Sequence, residues 1–483
     1  MLEHNARLES IKREVMYEVA KAAFHNDEAA MEQIPYDMIP GPQPQFRCCI
    51  YKEREIIRQR VRLARGLSPN PKKDDKNIVQ VINSACEGCP ITRFTVTDNC
   101  QKCVSKRCQA ACHFKAISMG KDRAYIDPDL CHECGQCAKA CPYNAIADLM
   151  RPCKRSCPVD AISMDENRIV KIDEEKCIHC GSCIKDCPFG AISDRSFMVD
   201  VIKLLQSGRP VYACVAPAIE GQFGKDVTIG ILNAAVKDLG FADLYEAALG
   251  ADLVADSESK EWTQAYNEGK KMTTSCCPAF VTMIKKHYPG LLDNVSTTIS
   301  PMTATARLIK AIDPKAIVVF IGPCVAKKNE VLENITQDSA DYALTFEELD
   351  AMFEAKEIDL SSYDGKKQQG SIYGKRFSES GGVTKAVVEA LSERGDHGKL
   401  KVRQCNGAAD CKKALLLMKV GRLPEDFVEG MVCEGGCMNG PKAIRNGAMY
   451  QKDREAMFKE ADGRMVKDNV EACEKFGVSL HKK

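Results

Sequence analysis

Hydrophobic and polar positions follow three different rhythms along this chain. Ile11–Phe24 (IKREVMYEVAKAAF) and Arg54–Gly66 (REIIRQRVRLARG) repeat their apolar residues at helical spacing. The second sets Arg54, Arg58, Arg62 and Arg65 along one face, which reads as solvated surface, with docking of an acidic electron carrier as the alternative. Leu67–Lys76 (LSPNPKKDDK) is a Pro- and Lys-rich breaker and marks a linker. The middle stretch repeats itself: CHFKAISMGKDRAYIDPDLCHECGQCAKACPYNAIAD, beginning at Cys112, is answered by CPVDAISMDENRIVKIDEEKCIHCGSCIKDCPFGAISD, beginning at Cys157. Each unit reads as a short strand pair around a cysteine run, followed by a short helix. From about residue 196, buried-strand runs (Pro210–Val215, Ala316–Ile321) alternate with amphipathic helices (Ala279–His287, Val383–Arg394), an α/β pattern. The expected division is 1–76 helical segment and linker, 77–195 tandem α+β repeats, and 196–483 an α/β domain large enough to bury a dry site.

Composition narrows the class. The 483 residues suit about three domains, and 45% apolar with 28% charged residues describes a globular protein. Lys+Arg at 68 against Asp+Glu at 67 leaves no basic footprint for nucleic acid or an anionic membrane. The longest strongly apolar run, Ala316–Gly322, is too short to span a bilayer. The charged N-terminus has no apolar signal core, so a cytoplasmic location is expected. The 27 cysteines are the abnormal number. In a large chain without an export signal they point to metal binding or catalysis, not to disulfides.

Sixteen of them fall in the middle stretch. Cys131-x2-Cys134-x2-Cys137-x3-Cys141-Pro142 and Cys177-x2-Cys180-x2-Cys183-x3-Cys187-Pro188 match the bacterial ferredoxin run, whose fourth cysteine ligates the neighbouring cubane. Zinc sites usually show separated cysteine pairs, so two full runs select iron–sulfur. The cross-over rule groups Cys100, Cys103, Cys108 and Cys141; Cys131, Cys134, Cys137 and Cys112; and Cys177, Cys180, Cys183 and Cys157. Cys153 and Cys187 remain, two ligands short, while Cys86-x2-Cys89-Pro90 upstream is an orphan pair. Either the orphan pair folds back to complete a fourth cubane, or the chain holds three. Such a row of centres transfers single electrons. His113, His132 and His179 sit inside the cluster loops, but cysteine can fill every site without them.

Three cysteine motifs remain in the α/β domain: Thr274-Ser-Cys-Cys-Pro278, Pro323-Cys324-Val-Ala-Lys327 and Met431-Val-Cys433-Glu-Gly-Gly-Cys437. Four thiolates from three distant loops, Cys277, Cys324, Cys433 and Cys437, suffice for one more buried cubane. Cys276 is then an unligated thiol beside a redox metal, suited to donate protons. Lys327 is a cation near a ligand and suits a small anion on the metal.

In these motifs, in their order, and in its ferredoxin-type runs, the chain resembles the iron-only (FeFe) hydrogenases over about residues 77–483. The resemblance implies a two-lobed catalytic domain holding, between its lobes, an H-cluster. That cofactor is a cubane joined through a shared cysteine to a two-iron unit carrying CO, CN and a bridging dithiolate amine. It implies Cys277, Cys324, Cys433 and Cys437 as cubane ligands with Cys437 as the bridge, and Cys276 exchanging protons with the amine. Lys327 would hold a cyanide, with Ala216, Pro217, Ala218, Phe377 and Met431 near the two-iron unit. The family's proton path implies Glu258 and Glu261 in GADLVADSESKEW, three apart and so on one helical face, with Ser296 in LLDNVSTTISP between them. It also implies a ferredoxin-like electron donor, H2 and protons as substrates, and dedicated maturation enzymes for the two-iron unit.

Gly322, Phe280, Met302, Ala265 and the Asn439-Gly440-Pro441 run depart from the best-known branch and resemble the divergent group B. The first of these stands where that branch has a Met, and Ala265 where its proton path ends in an Arg. Two other readings compete with the enzyme. A sensory relative usually carries an appended signalling domain, whereas this sequence stops at VSLHKK soon after its last motif. A non-catalytic iron–sulfur assembly protein of the same fold has no use for Cys276, Lys327 and both glutamates together. Cys48 and Cys49 in the N-terminal segment, and Cys214, Cys405, Cys411 and Cys473 in the α/β domain, have no spaced partners and read as structural.

Overall fold

The computed structural model describes residues 2–72, 74–86, 89, 92–333, 338–396 and 400–482; Pro90, which follows the orphan pair, lies outside them. Three helices open the chain, Leu2–Phe24, Glu28–Met38 and Ile50–Ala64. The arginine face is not free surface. Arg54 donates to the carbonyls of Ile39 and Pro40, Arg62 to the carbonyl of Ser68, Arg58 reaches Glu55 and the Tyr36 hydroxyl, and Arg65 pairs with Glu32. Long guanidinium side chains here staple the third helix to the second helix and to neighbouring loops, which leaves little of the face for a partner.

The cysteine-rich stretch is nested. Phe94–Val96 pairs antiparallel with Ile146–Asp148 and encloses the hairpin Ile117–Met119/Ala124–Ile126. Val79–Val81 pairs with Ile192–Asp194 and serves the second hairpin, Ile162–Met164/Val170–Ile172, in the same way. The first unit is therefore inserted into the second, whose opening strand lies far upstream. In each unit the opening strand leads to a CxxC, so Cys86 and Cys89 stand to the second unit as Cys100 and Cys103 stand to the first. The repetition extends to the backbone. Glu133 and His179 share left-handed φ values of 53° and 55°, and Gly135 and Gly181 follow at 75° and 77°, curling both cysteine runs alike.

The α/β domain has two parallel sheets. One runs Asp243–Glu246, Val211–Val215, Ile317–Ile321, Tyr342–Leu344; the other Met272–Thr273, Phe427–Met431, Val402–Asn406. Ile317–Ile321 (IVVFI) is buried throughout, as expected of a parallel strand covered on both faces. The long Ala247–Asn267 helix packs against Pro301–Ile312 and Gly382–Glu393. Ser300 caps Pro301–Ile312, accepting from the Thr303 amide. Loops at the carboxyl ends of strands in both sheets carry the three cysteine motifs, where parallel α/β folds bind ligands. No helix among the described residues is long and apolar enough to cross a membrane.

Candidate active site

Four strand ends meet at one cavity of about 90 Å³. Val215 leads into Ala216 and Pro217, Thr273 into Cys276 and Cys277, Ile321 into Cys324, and Met431 into Cys433 and Cys437. All of these cavity residues line it, together with Lys327, Phe377 and Met431. Ala218 does not reach it: it is fully buried behind the wall, its carbonyl accepting from the Tyr450 hydroxyl at 2.8 Å. The wall also includes Met302 and Phe320, which make it apolar. Gly322 explains Phe320. A Cβ at Gly322 would stand 2.8 Å from the Phe320 ring and 2.9 Å from the Ala216 Cβ, so the missing side chain and the bulky ring share one space.

Cys277, Cys324, Cys433 and Cys437 are part-exposed because they face the cavity. Burial pushes Cys324 and Cys437 up to about 12, with Cys277 adding to both and Lys327 opposing. Unmetallated, these are protonated thiols, and binding a metal would release their protons. Among the described residues no three cysteine thiols lie within 4.8 Å of one another. Four thiolates on one zinc ion at about 2.3 Å sit closer together than that, so the spacing disfavours a single ion. Four convergent thiols, an apolar wall and one lysine fit a cluster with a small anionic ligand. Lys327 Nζ bonds Glu330 Oε2 at 2.6 Å, and Glu330 in turn accepts from Ser300 at 2.5 Å. Glu330 lies one helical turn from Lys327 and was findable from that spacing.

Cys276 lines the cavity, and burial, then Glu258, push its thiol well up, so it carries a proton. Behind it, Glu258 Oε1 accepts the Ser275 amide at 3.0 Å, while the buried Oε2 has no hydrogen-bond partner. Burial raises this carboxyl from 4.5 to about 7; the Ser275 amide and Ser296 favour its charged form, and Glu261 adds to the rise. Ser296 Oγ donates to Glu261 Oε2 at 2.6 Å. Glu261 is half-buried and also meets Thr297 and His481. Trp262, at 1% exposure, packs against Tyr266 beside them. The sequence reading missed Thr297 and His481: nothing local links residue 481 to residue 261.

The other cysteines gather by neighbourhood. Burial raises Cys108, with Cys141, Cys100 and Cys103 adding; Cys137, with Cys131 and Cys112 adding; and Cys183, with Cys180, Cys177 and Cys157 adding. Cys134 is exposed in the run of Cys131 and Cys137. Cys153 is pushed up to about 12 by burial, and the thiols around it are Cys187, Cys89 and Cys86. Cys112, Cys141, Cys157 and Cys187 each accept the amide four residues on, at 3.2–3.4 Å. Cys180 also lines the cavity and neighbours Cys277. His179 bonds Glu174 at 3.0 Å and His132 stacks on Phe114. Cys214, Cys405, Cys411 and Cys473 are buried.

Fold and donor set define an iron–sulfur protein in which ferredoxin-like units lead to a thiol-lined cavity in an α/β domain. Residues 209–441 match the C-terminal domain of the iron only hydrogenase large subunit, residues 151–191 a 4Fe-4S dicluster domain and residues 124–147 a 4Fe-4S binding domain. The chain is 30% identical over 318 residues to the periplasmic Fe hydrogenase large subunit of Nitratidesulfovibrio vulgaris, spanning 54% of this chain and 75% of that one. It is 30% identical over 275 residues to iron hydrogenase 1 of Clostridium pasteurianum, spanning 48% of each. The chain belongs to the iron-only hydrogenase large-subunit family. A solved FeFe-hydrogenase HydA1 variant from Chlamydomonas reinhardtii shares the fold at TM-score 0.50 and 22% identity, over 59% of this chain and 95% of that one. A weaker match, 24% over 259 residues, is to the nuclear prelamin A recognition factor of Homo sapiens, spanning 42% of this chain and 56% of that protein.

Proposed function

We propose that this chain is an FeFe-hydrogenase catalysing 2H⁺ + 2e⁻ ⇌ H2. The observation that carries the reading is the Cys276 thiol, pushed well up by burial, standing between a four-thiol cavity and the Glu258, Ser296, Glu261 line. An electron carrier or an assembly scaffold needs the cavity but has no work for that line.

Cys277, Cys324, Cys433 and Cys437 would hold the H-cluster, Cys437 as the bridge, with Lys327 held by Glu330 toward a cyanide and Pro217, Phe377 and Met431 excluding water. When bound, the two-iron unit supplies an open metal position and an amine base. The chain's own residues move the proton: Cys276 exchanges it at the cavity, Glu258 takes it at the unpartnered Oε2, and Ser296 passes it between the two carboxyls. A carboxyl with a pKa of about 7 suits this, because it gains and loses protons readily at neutral pH.

Residues 77–195 would be one electron-transfer domain holding four cubanes, the fourth on Cys86, Cys89, Cys153 and Cys187. Electrons from a ferredoxin-like carrier would reach the catalytic centre through the Cys177, Cys180, Cys183 and Cys157 cubane, since Cys180 borders the cavity. The decisive experiment is infrared spectroscopy of protein matured with its dedicated enzymes, together with H2 assays of the wild type and Cys276→Ala. Bands of metal-bound CO and CN in both, with turnover lost only in Cys276→Ala, support the reading. Absence of those bands from the wild type leaves the assembly role.

A further inference from the structure

Glu261 is where the buried line approaches solvent, and position 265, one turn further along its helix, is an alanine with no proton to offer. A different residue stands at the opening. His481, in the C-terminal strap, places Nδ1 3.1 Å from Glu261 Oε1 and 2.9 Å from Thr297 Oγ1, and its side chain is 55% exposed. The strap is fixed, not draped. His481 bridges antiparallel to Thr298, the Ile299 amide donates to the Leu480 carbonyl at 2.8 Å and the Lys482 amide to Thr297 at 2.9 Å, while Arg307 donates to the carbonyls of Ser479 and His481.

We propose that His481 is the solvent port of the proton route, a positioning and transfer residue that acts through Glu261; this rests on the hydrogenase reading above. The hydrogen bonds choose the tautomer. Thr297 Oγ1 already donates to Glu261 Oε1, so Thr297 can only accept from the ring, and a lone pair on Nδ1 would face a carboxylate oxygen. Nδ1 therefore carries the proton. Among the described residues Nε2 has no protein partner, which leaves it to water. In H2 evolution one proton is taken up from water at Nε2 and one leaves Nδ1 for Glu261 Oε1. The neutral ring left protonated at Nε2 resets by giving that proton to water and taking one from water at Nδ1, which the half-exposed ring presents to solvent when it swings off Glu261. Proton count and charge balance over the cycle, and H2 oxidation runs the same transfers backwards.

Among the described residues, Glu261 on the Ala247–Asn267 helix meets the ring, while Arg307 on Pro301–Ile312 and the neighbouring Lys482 hold the backbone beside it. Lys482 puts its ammonium on the Ser296 carbonyl at 3.3 Å. Arg307 puts its guanidinium on the backbone carbonyls of the strap. In these contacts both cations face backbone oxygens, and the carboxylate that the ring meets is Glu261.

The test uses matured protein with His481→Asn, which keeps an N–H for Glu261 but no basic nitrogen, and His481→Ala with and without added imidazole. Unchanged CO and CN bands establish that the centre is loaded. H2 turnover is expected to fall about tenfold in both variants, with an unchanged KM for the electron donor, a larger solvent isotope effect, and recovery of His481→Ala on adding imidazole. Independently of turnover, deuterium exchange at the Glu258 carboxyl, followed by the shift of its C=O band after mixing with D2O, should slow by a similar factor in His481→Asn. Wild-type turnover and exchange in His481→Asn overturn the port and leave His481 a strap residue. So does loss in His481→Ala that imidazole does not restore. A wild type without H2 activity overturns instead the reading on which this rests.

Discussion

Glu258→Gln separates what the buried carboxyl costs the fold from what it does. In the folded chain this group titrates near 7, against an ordinary 4.5, because burial disfavours its charged form. At about 1.4 kcal/mol per pH unit, keeping it ionised inside costs about 3 kcal/mol. Between pH 4.5 and about 7 the folded chain holds a proton that the unfolded chain has released. Stability from that proton is fully present below 4.5 and is lost as pH rises through about 7. Glutamine cannot ionise, so the variant lacks this slope. Thermal unfolding of both proteins should nearly coincide at about pH 4.5, and by about pH 8.5 the variant should be more stable by about 3 kcal/mol, or several degrees in a chain of this size. The same substitution should lower H2 turnover by about a hundredfold or more. Parallel pH–stability curves for the two proteins would show that the carboxyl is not held neutral, and unchanged turnover would remove Glu258 from the route.

Cys86→Ser should cost about four irons per chain and one cubane signal in electron paramagnetic resonance, while Cys48→Ser costs none; equal iron in both would leave three accessory cubanes. Lys328, with no exposure, bonds Asp194 at 2.6 Å and Glu348 at 2.8 Å, and Asp194 also meets Lys442 at 3.0 Å. Lys328→Met strips a cation from that buried network, which ties the closing strand of the second ferredoxin-like unit to the catalytic domain. A loss of about 3–5 kcal/mol is expected, read as a fall in the melting temperature, and a loss below about 1 kcal/mol contradicts it. Gly322→Ala should destabilise by about 1–3 kcal/mol through the Phe320 ring. Phe320→Ala should return part of this in the double variant, and strict additivity would show that the two do not compete for space.

The helical and strand periods of 196–483 and the duplicated cysteine runs were legible because they are local: a buried parallel strand needs a continuous apolar run, and a ferredoxin loop needs fixed spacing between its thiols. Pro210–Val215 and Ala316–Ile321 fall within a residue of the observed strands. The placement of residues confined to one short segment was equally readable, as with the adjacent thiols Cys276 and Cys277 or the two glutamates three apart on one helix. The arginine face read differently from its outcome, since spacing tells which side chains share a face but not what lies opposite.

The order of residues along the chain thus determined which donors exist and which elements carry them. Tertiary structure alone decided the rest: that the first ferredoxin-like unit is inserted into the second, that Ala218 stands behind the cavity wall, that Phe320 fills the space over Gly322, and that His481 meets Glu261. Each depends on two segments far apart in sequence and held together by burial and hydrogen bonds that neither segment encodes by itself.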